Sequence, residues 1–193
     1  MLIIVRHGRT EANASGLLLG RRLDPGLDDL GARQAGALAR SLPTPARVIS
    51  SPLLRTRQTA AALGQPVEVD ERWVELDYGD LDGTPLRDVP ADVWSAWRAD
   101  PSWAPAGGES LVDLGTRVRA ACAELVEEAA RQDVVVVTHV SPVKAALAWA
   151  LGVGDEVSWR AYVAPASITR IATGGPNPSL HAFNGCAHLD GLS

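Results

Sequence analysis

The segment DVVVVT at residues 133–138 limits the fold of this chain more than any other part of the sequence. Its four consecutive valines show no alternation of apolar and polar residues, so a strand made from them must be covered on both faces. Strands of this kind are typical of the centre of a parallel sheet. The segment therefore predicts an α/β protein with helices on both sides of the sheet.

Strand-like and helix-like segments alternate through most of the sequence. Residues 2–5 and 47–49 predict two more buried strands. Residues 28–41 have the spacing of an amphipathic helix, and residues 108–131 carry a longer one with Ser110 as its cap. Residues 167–183 predict two further strands joined by the turn sequence GGPNP. This order of elements indicates a three-layer sandwich with a mostly parallel central sheet flanked by helices.

Serine–proline pairs mark the starts of two predicted helices. Ser51–Pro52 follows the strand at 47–49, and Ser141–Pro142 follows the valine strand. Serine is a favoured helix cap and proline suits the first helical position, so each pair predicts a helix that begins there. Gly64 and Gly152 are suitable left-handed residues for the two helix ends.

Length, charge and cysteine usage restrict the class of protein. The 193 residues can bury a core without metals or disulfides, and we predict a single domain over residues 1–193. The net charge of -5 does not favour nucleic acid or an anionic membrane as a partner. No apolar run has the length of a signal peptide or a transmembrane helix, and the two cysteines have no metal-binding spacing, so we expect a cytoplasmic protein without a metal.

Three residues with catalytic potential come directly after predicted strands. His7 follows the first strand, His139 follows the valine strand, and Arg55 lies at the start of the helix after the strand at 47–49. Because ligands of such sheets bind beyond the carboxyl ends of the strands, we expect these three residues to share one site.

The cluster around His7 has the chemistry of phosphoryl transfer. A neutral imidazole can attack phosphorus, and the guanidinium of Arg6 can bind two phosphate oxygens at once. Thr10 and Asn13 add hydrogen-bond donors close by in the sequence. The alternative for His7 is an ordinary hydrogen-bonded residue at the end of a strand.

Further cationic side chains are available to bind an anion. Arg55 and Arg57 lie on a helix whose positive N-terminal end favours phosphate, and Arg55 is nearer that end. Arg21, in a loop with a second arginine, is a candidate to bind another acidic group of a substrate. The alternative for Arg21 is a solvated loop.

The segment ELDYGDLDG, residues 75–83, supplies candidate general acids, since a leaving alkoxide needs a proton. Glu75 precedes two glycines, which indicates a loop folded closely over a site. The chemistry alone leaves other carboxylates open as the acid: Asp77, Asp80, Asp82 and Glu71.

Four ordered motifs resemble those of the histidine phosphatase superfamily, the phosphoglycerate mutase-like group, over essentially the whole chain. The opening motif R-H-G-x-T-x-x-N is matched by Arg6, His7, Gly8, Thr10 and Asn13. The motif S-x-x-x-R-x-x-x-T is matched by Ser51, Arg55 and Thr59, and E-x-x-x-G-x-x-x-G by Glu75, Gly79 and Gly83. The late histidine after a β-branched strand is His139.

The resemblance implies a role for each of these residues. His7 would carry the phosphoryl group, Glu75 would protonate the leaving alcohol and then activate water, and no metal or other cofactor would be required. The phosphate pocket would be formed by Arg6, Arg55, His139 and Asn13. Val140 stands where many members of the family have glycine, and its backbone N–H remains available to bind phosphate.

A metal-independent phosphatase acting on a small-molecule phosphate ester is the predicted function. The chain is short between Glu75 and His139, which leaves little to shield a phosphohistidine from water and so favours hydrolysis over a phosphoglycerate mutase-type transfer. The other alternative is a non-catalytic phosphate-binding regulatory module. The sequence does not fix the oligomeric state, although homodimers are common in the superfamily that it resembles.

The segment at 94–108 is expected to form much of the wall above the pocket. Its tryptophans, Trp94, Trp97 and Trp103, are candidates either to shape specificity or to pack the core. The stretch at 97–110 also resembles that of sugar-phosphoglycerate phosphatases in this superfamily, without fixing the substrate.

Overall fold

A computed structural model describes residues 1–192 and contains a six-stranded sheet between helices. The strands are β1 (Leu2–Arg6), β2 (Arg47–Ser50), β3 (Val67–Val69), β4 (Val134–Thr138), β5 (Ile168–Ala172) and β6 (Ser179–Gly185). The α-helices are α1 (Glu11–Ala14), α2 (Asp29–Ser41), α3 (Leu54–Ala61), α4 (Ala91–Ala99), α5 (Leu111–Arg131) and α6 (Val140–Leu151). Short 3₁₀ turns cover Glu71–Trp73, Gly79–Leu81, Leu86–Asp88, Asp155–Arg160 and Ala187–Leu189.

The sheet has the order β3-β2-β4-β1-β5-β6. Strands β3, β2, β4 and β1 pair in parallel. Strand β5 is antiparallel to both of its neighbours, β1 and β6. The valine strand β4 lies between two parallel neighbours, and its four valines are 0% exposed. The predicted α/β sandwich with a mostly parallel sheet is confirmed.

Alternate side chains of the central strands enter two separate hydrophobic cores. On one face, Ile4 and Val136 pack with helices α5 and α6. On the other face, Val5 and Val137 pack with Leu38 of α2 and with α3. This division explains the three layers, because each face of an apolar strand is covered by its own helices.

The predicted helix starts at the serine–proline pairs are wrong in position. Helix α3 begins at Leu54, whose N–H donates to Asp24 at 2.8 Å, and the N-cap position is Leu53. The hydroxyl of Ser51 lies 2.7 Å from Nε2 of His139. Helix α6 begins at Val140, ahead of Ser141–Pro142. The predicted ends are better: Gly64 and Gly152 both have a left-handed φ, of 69° and 64°.

The N-terminus of α2 is held against the loop that follows β1. Asp28 caps the helix by accepting from the N–H of Gly31 at 2.7 Å, and its other carboxylate oxygen binds Nε of Arg9 at 2.7 Å. A Cβ on Gly31 would overlap the carbonyl oxygen of Arg9. This close approach sets the path of the chain directly after His7.

Within residues 1–192, no helix combines the length and apolarity needed to cross a membrane. Ser193 lies outside the described residues, and the single domain over 1–193 stays a prediction.

Two glycines of helix α2 give a matched test of this packing. We expect Gly31→Ala to lower the free energy of unfolding by about 1–3 kcal/mol, because the added methyl group meets backbone that cannot move aside. Gly36→Ala should raise it by roughly 0.5–1 kcal/mol, because the position has room and alanine favours helix. Urea unfolding of both variants measures the difference, and equal effects would contradict the close approach at Gly31.

Candidate active site

Parallel pairing of β1 and β4 brings the two histidines together. Arg6 pairs with Thr138, so the residues that follow each strand are neighbours. The N–H of His7 donates to the carbonyl of Thr138 at 2.9 Å, and the imidazole rings of His7 and His139 lie 5.2 Å apart between centroids. The shared rim that the sequence predicted for these two residues is present.

Hydrogen bonding fixes the tautomer of His7. Its Nδ1 lies 2.7 Å from the carbonyl oxygen of Gly8, which can only accept, so Nδ1 carries the proton and Nε2 keeps its lone pair. Burial, and then the charges of Arg6 and Arg55, hold the pKa of His7 well below its usual range. The imidazole is therefore neutral at neutral pH, and the lone pair of Nε2 is available for bonding.

His139 is buried beside it with a different set of contacts. Its Nε2 lies 2.7 Å from the hydroxyl of Ser51, while Nδ1 has no hydrogen-bond partner among residues 1–192. Burial, and then the charges of Arg55 and His7, place the pKa of His139 well below its usual range. A bound anion would oppose that shift, because it stabilises the protonated ring.

Two buried guanidinium groups supply positive charge. Arg6 donates to the carbonyl of Val163 at 2.7 Å, and Arg55 donates to the carbonyls of Gly20 at 2.8 Å and Leu23 at 3.3 Å. Burial lowers the pKa of both groups, but arginine stays charged at neutral pH. In the described part of the chain, Nε of each has no partner, so each can still donate to an anion.

The carboxylate of Glu75 lies at the N-terminus of α6. Its oxygens accept from the N–H groups of Val140 at 3.0 Å, Ser141 at 3.1 Å and Leu76 at 2.8 Å. The N–H of Val140, which was predicted from the sequence to be available to bind phosphate, therefore donates to Glu75. A helix N-terminus favours any carboxylate as it favours phosphate, which is the physical reason for the difference.

Glu75 is also distinct from the other carboxylates of its segment. It is 3% exposed and lines the cavity described below. Asp77 accepts from Gly79, Asp82 accepts from the N–H groups of Gly20 and Arg22, and the exposed Asp80 pairs with Arg22. These aspartates act as loop carboxylates.

Arg21, predicted to bind substrate, has other partners. Its Nε donates to the backbone carbonyl of Glu75 at 2.7 Å, and its terminal nitrogen lies 2.5 Å from Glu109. Arg117 donates to the same Glu75 carbonyl at 3.2 Å and binds both carboxylate oxygens of Glu109. These three charged side chains hold the backbone of Glu75 in place. Sequence reasoning missed Arg117 and Glu109, because no local motif marks them.

Thr10 and Asn13 form the first turn of α1. The hydroxyl of Thr10 accepts from the N–H of Asn13 at 3.2 Å, and the Asn13 amide oxygen accepts from the N–H of Thr10 at 3.1 Å. Thr10 is 0% exposed and its hydroxyl caps this turn, while its contact with a substrate stays a prediction. Asn13 lines the cavity, as a substrate-binding residue must.

A cavity of about 440 Å³ opens beside these groups. Its described lining includes Arg6, His7, Asn13 and Glu75, and its walls are largely leucine and tryptophan. His139 and Arg55 are 0% exposed and are not among the lining residues.

Three tryptophans form one wall of this cavity. Trp94 and Trp97 were considered from the sequence, whereas Trp159 was missed. Trp103 packs on the ring of Trp97 at 5.5 Å and is not among the described lining residues. The wall therefore combines core packing with exposure to the cavity.

Comparison with known proteins gives one family. The family model for the histidine phosphatase superfamily (branch 1) matches residues 2–185. A relative from Mycolicibacterium vanbaalenii, named glucosyl-3-phosphoglycerate phosphatase, is 41% identical over 167 residues, which are 78% of this chain and 74% of the relative. A bifunctional protein of Mycobacterium tuberculosis is 36% identical over 178 residues, which are 87% of this chain and 49% of that protein.

A solved structure shares the whole fold. The native structure of a mycobacterial glucosyl-3-phosphoglycerate phosphatase superposes with a TM-score of 0.83 at 32% identity, covering 95% of this chain and 98% of that chain. The chain spans about half the length of the first curated relatives that it matches.

The buried histidines predict a pH dependence of stability. Because the folded-state pKa values of His7 and His139 are depressed, the unfolded chain binds protons below about pH 6.5 while the folded chain does not. We expect stability to be lost as pH falls below that value, by up to about 1.4 kcal/mol per pH unit for each histidine. Urea unfolding between pH 5 and 8 should show a shallower slope for His139→Gln than for the wild type. Identical slopes for His139→Gln and the wild type would contradict the shift.

The contacts of Arg117 predict an effect on stability. Arg117→Met removes a bidentate ion pair with Glu109 and two hydrogen bonds to backbone carbonyls, so we expect a loss of about 1–3 kcal/mol in the free energy of unfolding. Arg131→Met, at the exposed end of the same helix, should change it by no more than about 0.5 kcal/mol. Thermal unfolding distinguishes the two, and a silent Arg117→Met would show that the network is dispensable.

Proposed function

The chain belongs to the histidine phosphatase superfamily (branch 1), and we propose that it hydrolyses small phosphate monoesters with His7 as the nucleophile. The observation that carries this proposal is the hydrogen bond from Nδ1 of His7 to Gly8, which leaves the Nε2 lone pair available in a ring kept neutral by burial and two arginines. A nucleophile in this state needs no separate base for activation.

In the first step, Nε2 of His7 attacks phosphorus and the bond from phosphorus to the ester oxygen breaks. The leaving oxygen takes a proton from the carboxyl group of Glu75, and a phosphohistidine remains. In the second step, Glu75 removes a proton from water, whose oxygen attacks phosphorus and breaks the N–P bond. His7 returns to its neutral form, still with the proton on Nδ1.

Charge in the site supports the binding of a phosphoryl dianion. Arg6 and Arg55 contribute two buried positive charges beside the buried side chain of Glu75. Asp24 lies 3.7 Å from Arg55 but is 44% exposed, so water screens its charge. The fixed cations can stabilise the phosphoryl oxygens without reorganising, and His139 adds a third cation once an anion favours its protonation.

Hydrolysis is favoured over transfer to a second alcohol by the short segment between Glu75 and His139. The name of the Mycolicibacterium vanbaalenii relative supports a phosphatase as well. A phosphoglycerate mutase-type phosphotransferase and a non-catalytic phosphate-binding module remain the alternatives that the experiment below separates.

The proposal also covers the location and the partners of the enzyme. A cytoplasmic location without a nucleic-acid or membrane partner agrees with the net charge of -5. Formation of a homodimer stays a prediction.

The decisive experiment is the hydrolysis of p-nitrophenyl phosphate and of an alkyl phosphate in the presence of EDTA. We expect turnover that survives chelation, falls to background in His7→Ala, and persists in the exposed control His181→Ala. Glu75→Gln should lose roughly 10²–10⁴-fold in kcat on the alkyl ester and much less on p-nitrophenyl phosphate, whose leaving group needs little protonation. Rapid quenching should trap acid-labile phosphate on His7.

Equal turnover by His7→Ala would overturn the proposal. Transfer of phosphate from a phosphorylated donor to 3-phosphoglycerate faster than its release to water would support the mutase. Binding of inorganic phosphate without turnover of any ester would support the binding module.

A further inference from the structure

Ser51 and His139 form a buried hydrogen bond next to the candidate active site. The Ser51 hydroxyl oxygen and Nε2 of His139 lie 2.7 Å apart, and both residues are 0% exposed. A buried polar atom must find its partner in the protein or in a bound ligand, because bulk water does not reach it. The partners of the two residues therefore determine which of the two atoms donates.

The contacts of Ser51 favour its hydroxyl as the donor. The hydroxyl oxygen accepts from the N–H of Leu53 at 3.4 Å. For the hydroxyl hydrogen, Nε2 of His139 is the one acceptor that the described part of the chain provides. If Ser51 donates, Nε2 accepts with its lone pair, and the single proton of a neutral ring is on Nδ1.

The number of unsatisfied groups separates the two neutral forms of His139. With the proton on Nδ1, one buried group of the pair has no partner among residues 1–192, and that group is the Nδ1–H. With the proton on Nε2, the ring would donate to Ser51, and both the serine O–H and the Nδ1 lone pair would lack a partner. Because each unsatisfied buried group is unfavourable, the form with the proton on Nδ1 is favoured.

The tautomer determines what His139 presents to a ligand. The ring is neutral in the empty site, since burial and nearby charges hold the pKa of His139 well below its usual range. A neutral ring with the proton on Nδ1 offers a hydrogen-bond donor there. The other tautomer would offer a lone pair, which repels the oxygens of an anion.

The unpartnered Nδ1–H belongs to the candidate phosphate site. The ring of His139 lies 5.2 Å from the ring of His7 between centroids, and the charges of Arg55 and Arg6 act on it. A phosphoryl oxygen is the acceptor that such a group lacks. If a bound anion then favours protonation of the ring, the second proton goes to Nε2, and the contact made by Nδ1–H is kept.

We propose that Ser51 is a positioning residue, which fixes the tautomer of His139 so that the buried ring presents an N–H to the phosphoryl group. Ser51 acts through His139, since it is not among the described residues that line the cavity. The proposal rests on the proposed phosphatase function and adds to it a residue that determines how His139 binds phosphate.

The tautomer can be measured in the protein without a ligand. A long-range ¹H–¹⁵N spectrum distinguishes a ring nitrogen that carries a proton from one with a lone pair, and His139→Gln identifies the signals of this ring among the four histidines. Near neutral pH we expect a proton on Nδ1 of His139 and none on Nε2. Ser51→Ala should move the ring toward the other tautomer, whereas Ser51→Thr, which keeps the hydroxyl, should not.

Ser50→Ala is the matched control for the loss of a buried hydroxyl. Ser50 is the preceding residue and is also 0% exposed, but its hydroxyl donates to the backbone carbonyl of Ser51 at 2.8 Å and does not contact the ring. This variant should keep the wild-type tautomer of His139. A proton on Nε2 in the wild type, or an unchanged tautomer in Ser51→Ala, would overturn the proposal.

Binding of inorganic phosphate measures the consequence for the site. By calorimetry near neutral pH, we expect Ser51→Ala to bind phosphate about 2- to 10-fold more weakly than the wild type, as for the loss of one hydrogen bond between the ring and a ligand. Ser50→Ala should bind as the wild type does. Equal affinity in Ser51→Ala and the wild type would overturn the link between the tautomer and phosphate binding, and with it the proposal.

Neither measurement depends on turnover, so the two proposals can fail separately. If both effects of Ser51→Ala are found but no ester is hydrolysed by the wild type, the phosphatase function fails while the positioning role of Ser51 stands. If esters are hydrolysed through His7 but His139 carries its proton on Nε2, the positioning role fails while the phosphatase function stands.

Discussion

The buried carboxylate of Glu75 is the interaction on which the rest of the site depends. It accepts from the first N–H groups of helix α6, so it joins the loop before α4 to the helix that follows β4. Its charge also raises the pKa values of Arg6 and Arg55 against the effect of burial, more than any other group does. Without it, the two buried guanidinium groups would lose the largest opposing charge, which is unfavourable.

The fold could be predicted to the extent that local pattern decides it. Four valines in a row require cover on both faces, and that requirement alone placed β4 at the centre of the sheet. Helix starts were predicted less well, because a serine hydroxyl can either cap a helix or bind a distant side chain. Ser51 would cap a helix in an isolated peptide, but in the folded chain its hydroxyl binds His139, a residue 88 positions away in the sequence.

The candidate site could also be predicted only where local pattern decides it. His7 and His139 could be brought together from sequence, because each follows a strand and parallel strands end at one edge. Arg117 and Glu109 could not, since their role is to hold a backbone carbonyl contributed by a distant loop. Thr10 and Val140 each have a protein partner that the sequence did not reveal: the Thr10 hydroxyl caps a helix, and the Val140 N–H binds the carboxylate of Glu75.

Two kinds of contact hold the charged and titratable groups around His7. Arg6 and Arg55 are fixed on backbone carbonyls, which suits a phosphoryl group whose size and charge are the same in every substrate. His139 is held instead by the hydroxyl of Ser51, and its Nδ1 has no partner among residues 1–192, so an anion would favour its protonation without a change in the contacts of the two arginines.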